Sequence, residues 1–259
     1  MPPPHSTEEL PLRGIVSDLD GVVYRGEKPI ADAVTAFRAW HAAGLPYAFV
    51  TNNATKSAAA FAAKLRGMGV PVEPNQVFCA VSATASLMRR RWAPGTRVFA
   101  IGGPPLFEAL ETGGFSAGGE EAEVVVLGFD EELTYAKLRT AVRAALGGAA
   151  VVVTNPDMLT PADEGFEPCV GVLMAALVAA VPAAVPIVVG KPEPLMIEEA
   201  IAFLGTPKEQ TIMIGDQIAT DILAGQRAGL RSILVTTGVP ARPVPGVTPD
   251  RTIAGLLEI

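Results

Sequence analysis

Apolar runs rich in Val and Ile alternate along this chain with Ala-rich segments, and that alternation restricts the possible fold more than any other feature. Short β-branched runs bounded by turn residues are strands, and helical segments between them make βαβ units. The runs fall at 13–17, 46–51, 97–101, 123–128, 149–154, 186–190, 210–214 and 231–236. Between them, "KSAAAFAAKLRGMG" and "YAKLRTAVRAALGG" hold good helix formers and end in glycine, as helix C-termini do. The strands do not alternate apolar with polar residues, so helices must cover both faces of the sheet they form. The expected fold class is α/β with parallel sheet.

Composition narrows the function. Of 259 residues 49% are apolar and 18% charged, which describes a core-rich globular chain. The net charge is −7, and the densest basic run is Arg89-Arg90-Arg91, so binding nucleic acid by phosphate neutralisation is not expected. Cys79 and Cys169 have no metal or redox spacing, which suits a reducing cytosol. The start, "MPPPHSTEELP", lacks a signal-peptide pattern and is expected to be a loose tail in a cytoplasmic protein. From Cys169 to Gly190 no charge occurs for 22 residues, long enough to span a bilayer. Pro182 and Pro186 break that run, and the expectation is a buried helix ending near Val181, a short connection and a strand "PIVVG". No membrane association is expected.

Residues 82–182 contain strands and helices of their own but lack the acid-ended strands found on either side. This predicts an inserted α/β domain, 82–182, dividing a larger one into 1–81 and 183–259, with hinges near Ser82 and Pro182. The Pro-rich "VPARPVPGVTP" (239–249) is expected to be a surface loop.

In a doubly wound parallel sheet, ligands bind outside the carboxyl ends of the strands. The first strand ends in Asp18 and Asp20, the second in Thr51, Asn52 and Asn53. "VVGKPEP" supplies Lys191, and "IMIGDQIATD" supplies Asp216 and Asp221. Residues i and i+2 of an extended segment face one side, so both carboxylates of "DLDG" can serve one site. At about 4 Å two such charges repel by roughly 4 kcal/mol at an effective dielectric of about 20. A Mg²⁺ ion would remove that repulsion, with Asp216 as a further oxygen ligand. The bland reading of each stretch also stands: "DLDG" as a turn, Asn53 or Thr55 as a helix cap, Lys191 as a solvated loop residue, Asp221 as a charge at a helix N-terminus. Their joint occurrence, each at a strand end, supplies a nucleophile, an acid/base, anion donors, a cation and a metal site.

The stretches "DLDGVVYRG", "VTNNATKS", "GKPEP" and "GDQIATDILAGQRAGL", in this order, resemble the four motifs of the haloacid dehalogenase superfamily. Tyr24, the double Asn and "TDILAG" are similar to its NagD-like phosphatase branch, and "VVTNPD" (152–157) extends the likeness into the insertion. The resemblance implies a Rossmann-like doubly wound core with an inserted smaller α/β cap. It implies Asp18 as a nucleophile forming an aspartyl-phosphate and Asp20 as general acid/base. Thr51, Asn52 and Asn53 would bind phosphate with Lys191. Mg²⁺ would be held by Asp18, Asp216 and the Asp20 carbonyl, and Asp221 would orient Lys191 or metal-bound water. Within the cap, the loop with Asn155 and Asp157 is the candidate for substrate specificity. "PADEGFEPCVGVL" departs from the branch by placing Cys169 and Val170 where a glycine-rich turn is usual, so no single relative's substrate is carried over. The expected partner is a small phosphorylated metabolite, with a homodimer possible by analogy. The rival readings are a phospho-accepting signalling domain, which needs about half this length and no Asp20, and a non-catalytic binding protein.

Overall fold

A computed structural model describes residues 11–161, 165–240 and 242–259; the expected N-terminal tail lies almost wholly outside them. The first apolar run forms β1 (Gly14–Ser17), followed by a hairpin of two short strands, β2 (Tyr24–Arg25) and β3 (Lys28–Pro29). Then come α1 (Ala31–Ala42), β4 (Tyr47–Thr51), α2 (Ala58–Gly67), β5 (Val77–Cys79) and α3 (Ala80–Arg91). The middle of the chain supplies β6 (Arg97–Ile101), α4 (Pro104–Thr112), β7 (Ser116–Ala117), β8 (Val124–Leu127), α5 (Tyr135–Leu146) and β9 (Ala150–Val153). It continues through a hairpin, β10 (Leu159–Pro161) and β11 (Phe166–Pro168), to α6 (Val170–Ala180) and β12 (Ile187–Val188). The last part holds α7 (Leu195–Leu204), β13 (Thr211–Gly215), α8 (Leu223–Ala228), β14 (Arg231–Val235) and β15 (Arg251–Ile253).

Two parallel sheets result. One has the order β15-β14-β13-β1-β4-β5, the other β12-β9-β8-β6-β7. Successive residues of β1 feed opposite faces: Ile15 joins Phe37, Phe61 and Leu65 of α1 and α2, while Val16 joins Met196, Ile197 and Ala224 of α7 and α8. That is the doubly wound arrangement expected of strands without polar alternation. The Val16 cluster runs on without a break to Leu87 of α3, Leu106 of α4 and Val124 of β8, so the two sheets share apolar packing. The far face of the second sheet is closed by α5 and α6, through Ala141, Ala144, Leu173 and Leu177.

Three expectations about elements are corrected. The uncharged segment after Cys169 does form a helix ending at Ala180, but it is not buried all round. Its open side presents Val172, Ala175, Ala179 and Ala180, mostly side chains small enough to face water at little cost. Among the described residues, no helix is long and apolar enough to cross a membrane. The "PIVVG" strand shrinks to Ile187–Val188 and pairs with β9 in the second sheet. Finally, α2 is capped by Ser57, whose hydroxyl accepts from Ala60 N at 3.3 Å, and not by Asn53 or Thr55.

Candidate active site

β1 lies where the strand order reverses, with β4 on one side and β13 on the other. The pairings Ser17↔Phe49 and Ser17↔Ile214 bring the ends of all three strands to one edge. Asp18, Thr51 and Asp216 therefore open into the crevice where parallel α/β sheets bind ligands. The Asp18 N–H still pairs with the Ile214 carbonyl at 2.8 Å, so the sheet ladder fixes this backbone.

Lys191 reaches this edge from the segment between β12 and α7. Its Nζ donates to Asp18 Oδ1 at 2.5 Å and to Asp221 Oδ1 at 2.6 Å. All three side chains are buried, as is Asp216. The other Asp221 oxygen accepts from Gln217 N at 3.0 Å, so Asp221 is spent on holding Lys191 and its own turn. Two carboxylates hold the lysine protonated against the desolvation that opposes it.

Asp18, Asp216 and Asp221 each bring an oxygen within 4.8 Å of the others. Three carboxylates against one ammonium leave two negative charges without a counterion. Burial raises the Asp18 pKa well above the usual carboxylate range, with Lys191 opposing and Asp221 and Asp216 adding to the rise. Burial and the neighbouring Asp221 push Asp216 up to about 6. Asp216 Oδ2 accepts from Val239 N at 3.0 Å, while its Oδ1 is buried with no protein partner. A buried, unpaired carboxylate oxygen beside an excess of two negative charges fits a hard divalent cation.

Backbone packs closely here. A Cβ on Gly238 would lie 1.9 Å from Asp216 Oδ2, and one on Gly21, itself at φ +77°, would lie 2.4 Å from the same oxygen. Only glycine lets both segments approach. The Thr237 hydroxyl donates to the Gly21 carbonyl at 2.7 Å, tying this loop to the turn after β1.

Asp20, unlike Asp18, is exposed, in the turn that leads from β1 to the β2–β3 hairpin. Partial desolvation raises its pKa, against the pull of Lys64 and of a hydrogen bond from the Tyr24 hydroxyl. Lys64, from α2, sits 4.0 Å over the Tyr24 ring and donates to the Gly26 carbonyl at 2.7 Å. Thr51 and Asn52 are buried at the end of β4. The Asn53 side chain is occupied in a local turn, accepting from Thr55 N at 2.9 Å and Thr55 Oγ1 at 2.7 Å. Asn155 and Asp157 meet Asn52 at the end of β4: Asn155 Nδ2 donates to the Asn52 main-chain carbonyl, and Asn52 Nδ2 to the Asp157 carboxylate.

Sequence reasoning singled out Tyr24 only through the resemblance, and it missed Lys64 and the loop at Thr237–Val239. The last had a usable signal, since "TTGV" follows an apolar strand as the other site segments do. Lys64 had none, being one lysine in a helix.

Comparison with known proteins agrees with this geometry. Residues 15–116 match the haloacid dehalogenase-like hydrolase family, and residues 188–259 match a second, HAD-hydrolase-like family. The chain is 37% identical over 230 residues to the 5'-nucleotidase YutF of Bacillus subtilis, covering 89% of each. It is 36% identical over 223 residues to an acid sugar phosphatase of Staphylococcus aureus, covering 86% of this chain and 85% of that one. A thermostable NPPase from Geobacillus stearothermophilus superposes with a TM-score of 0.89 at 38% identity, over 96% of this chain and 98% of that one. With its fold, its strand-end motifs and relatives that match nearly end to end, the chain belongs to the haloacid dehalogenase-like hydrolases and is an enzyme of their phosphatase branch.

Proposed function

We propose that the protein is a Mg²⁺-dependent phosphatase of small phosphomonoesters that works through an aspartyl-phosphate on Asp18. The observation that carries this reading is the buried Asp18–Lys191–Asp221 chain beside an Asp216 oxygen left without a protein partner. Asp18, Asp216 and the Asp20 main-chain carbonyl would hold the Mg²⁺, which when bound offsets negative charge on the transferring phosphoryl group.

The chain's own residues divide the work. Lys191 holds the Asp18 carboxylate in place and presents positive charge toward the incoming phosphate. The Thr51 hydroxyl and the Asn52 amide position the phosphoryl oxygens. An Asp18 oxygen attacks phosphorus while the ester oxygen leaves, and Asp20, exposed beside the cluster, delivers the proton that oxygen needs. Asp20 then takes a proton from water, whose oxygen attacks phosphorus, breaks the acyl-phosphate bond and returns Asp18 with inorganic phosphate. Dividing one hard displacement into two easier ones is the advantage of covalent catalysis.

The relatives' names, a 5'-nucleotidase, an acid sugar phosphatase and an NPPase, support a small phosphomonoester as substrate class. Phosphate release from a panel of nucleotide, sugar and aryl phosphates with Mg²⁺ tests the reading. Asp18→Asn should lose all measurable turnover, and Asp20→Asn should accumulate little product. Full activity in Asp18→Asn would sink the covalent mechanism. A stable phospho-protein without turnover in the unmodified chain would favour a phospho-accepting domain instead.

A further inference from the structure

Three separate stretches of chain meet on the side chain of Asn52. Its Nδ2 donates to the Asp157 oxygens at 3.2 and 3.0 Å, and to the main-chain carbonyl of Lys191 at 2.9 Å. The Asn52 main-chain carbonyl accepts from Asn155 Nδ2 at 2.9 Å. Asn155 Oδ1 in turn accepts from Asp157 N at 3.1 Å, which closes the loop on itself. The Gly190 N–H donates to the Thr154 carbonyl at 2.9 Å, and a Cβ on Gly190 would fall 2.6 Å from Asn52 Oδ1. The strand-end loop carrying Thr51 and Asn52, the second-sheet loop 154–157 and the segment carrying Lys191 are thus joined through one carboxamide.

These contacts leave little for Asn155 to offer a ligand. Asn155 is 1% exposed, and both ends of its amide are committed to main chain. Asp157 is half-buried, with both oxygens turned to Asn52. What the arrangement does settle is the orientation of the peptides on either side. With the Asn52 carbonyl and side chain both held, the Asn52 backbone is fixed at the end of β4. With the Lys191 carbonyl held by the same amide, the start of the lysine segment is fixed relative to it.

We propose that Asp157 and Asn155 are positioning residues: they lock the Asn52 loop and the Lys191 segment into one register and do not select among substrates. The inference rests on the proposed phosphate-binding role of that loop, and its test has an arm that needs no turnover. In Asp157→Ala the Asn52 amide loses an acceptor, whereas Asp157→Asn keeps one through its carbonyl oxygen. Asp157→Ala should lower kcat/KM about tenfold or more, by the same factor for aryl, sugar and nucleotide phosphates. Inhibition by inorganic phosphate should weaken in parallel, and Asp157→Asn should recover most of both. Amide hydrogen exchange should quicken over 51–53 and 190–191 in Asp157→Ala and stay near the unmodified rate in Asp157→Asn.

A changed substrate ranking with unchanged phosphate inhibition would overturn the proposal in favour of a specificity role. Unchanged exchange in Asp157→Ala would overturn it as well. If the unmodified protein hydrolyses none of the panel, the phosphatase reading fails while the exchange result still decides the positioning role. Should Asp157→Ala not fold, Asn155→Asp asks the same question by setting an acceptor against the Asn52 carbonyl. It should quicken exchange over 51–53, and unchanged exchange there would count against the lock.

Discussion

Gly238 shows how little latitude the site leaves to a single residue. Its Cα lies so near Asp216 that an added methyl would fall 1.9 Å from the carboxylate oxygen that Val239 N holds. Gly238→Ala should displace Asp216 by a large fraction of an ångström, and a displacement on that scale costs about 100-fold in rate. Steady-state kinetics with Mg²⁺ titrated check this, and a variant within about twofold of the unmodified protein would refute it. Asp157 permits a second prediction at this scale. Burial raises its pKa, the Asn52 hydrogen bond and Lys191 oppose the rise, and Asp221 adds to it. A raised folded pKa means that the neutral acid is the form favoured by folding. Asp157 therefore costs no stability below the usual carboxylate range and lowers it as pH climbs through the folded value. Relative to the unmodified protein, Asp157→Asn should gain stability as pH climbs above the ordinary carboxylate value, about 4. Urea unfolding of both across that rise in pH measures the difference, and a constant difference would exclude the effect.

The β2–β3 hairpin is the element on which the proposed acid/base depends, and neither its strands nor its anchors stand out in the sequence. It has two residues per strand, too few to be stable alone. It is held from α2 by Lys64, which binds Gly26 O, pairs with Glu27 at 2.9 Å and covers Tyr24. On the other side Arg25 Nε donates to the Thr237 carbonyl. Glu27 is solvent-exposed, so the ion pair matters less than the main-chain bond and the ring contact. A loss near 1 kcal/mol changes a local equilibrium about fivefold. Lys64→Met should therefore lower kcat about fivefold and speed proteolytic cleavage near residues 25–28, with melting temperature almost unchanged. Unaltered cleavage would show that the hairpin is held without Lys64.

For the molecule as a whole, the buried acids at the carboxyl edge of the first sheet would link metal binding to stability. The buried acids lie at an edge where β1, β4 and β13 end, and one apolar cluster runs from that sheet into the second. A cation bound by the folded chain alone stabilises it by about 2.7 kcal/mol at one hundred times its Kd. For a chain of this size that corresponds to about 5–10 °C in Tm. Calorimetry with saturating Mg²⁺ should show such a rise, with most of it absent in Asp216→Asn. An equal rise in both would place the cation elsewhere.

Much of this was legible from the chain alone, because strand periodicity and strand-end chemistry are local. Uninterrupted Val and Ile runs specify strands covered on both faces, and acids directly after such runs have nowhere to go but the carboxyl edge of a parallel sheet. Asp18, Thr51, Lys191 and Asp216 could therefore be named as members of one site. The tertiary structure alone decided what surrounds them. Asn52 and Asp157 are 105 positions apart, and Thr237 and Gly21 are 216 apart. No short-range pattern encodes such pairs. The same holds for Ile187–Val188, whose composition says strand but whose sheet was set by the pairing with β9. Local propensity selects the elements; which side chains meet is decided only when distant elements compete for the same buried space and the same hydrogen-bond partners.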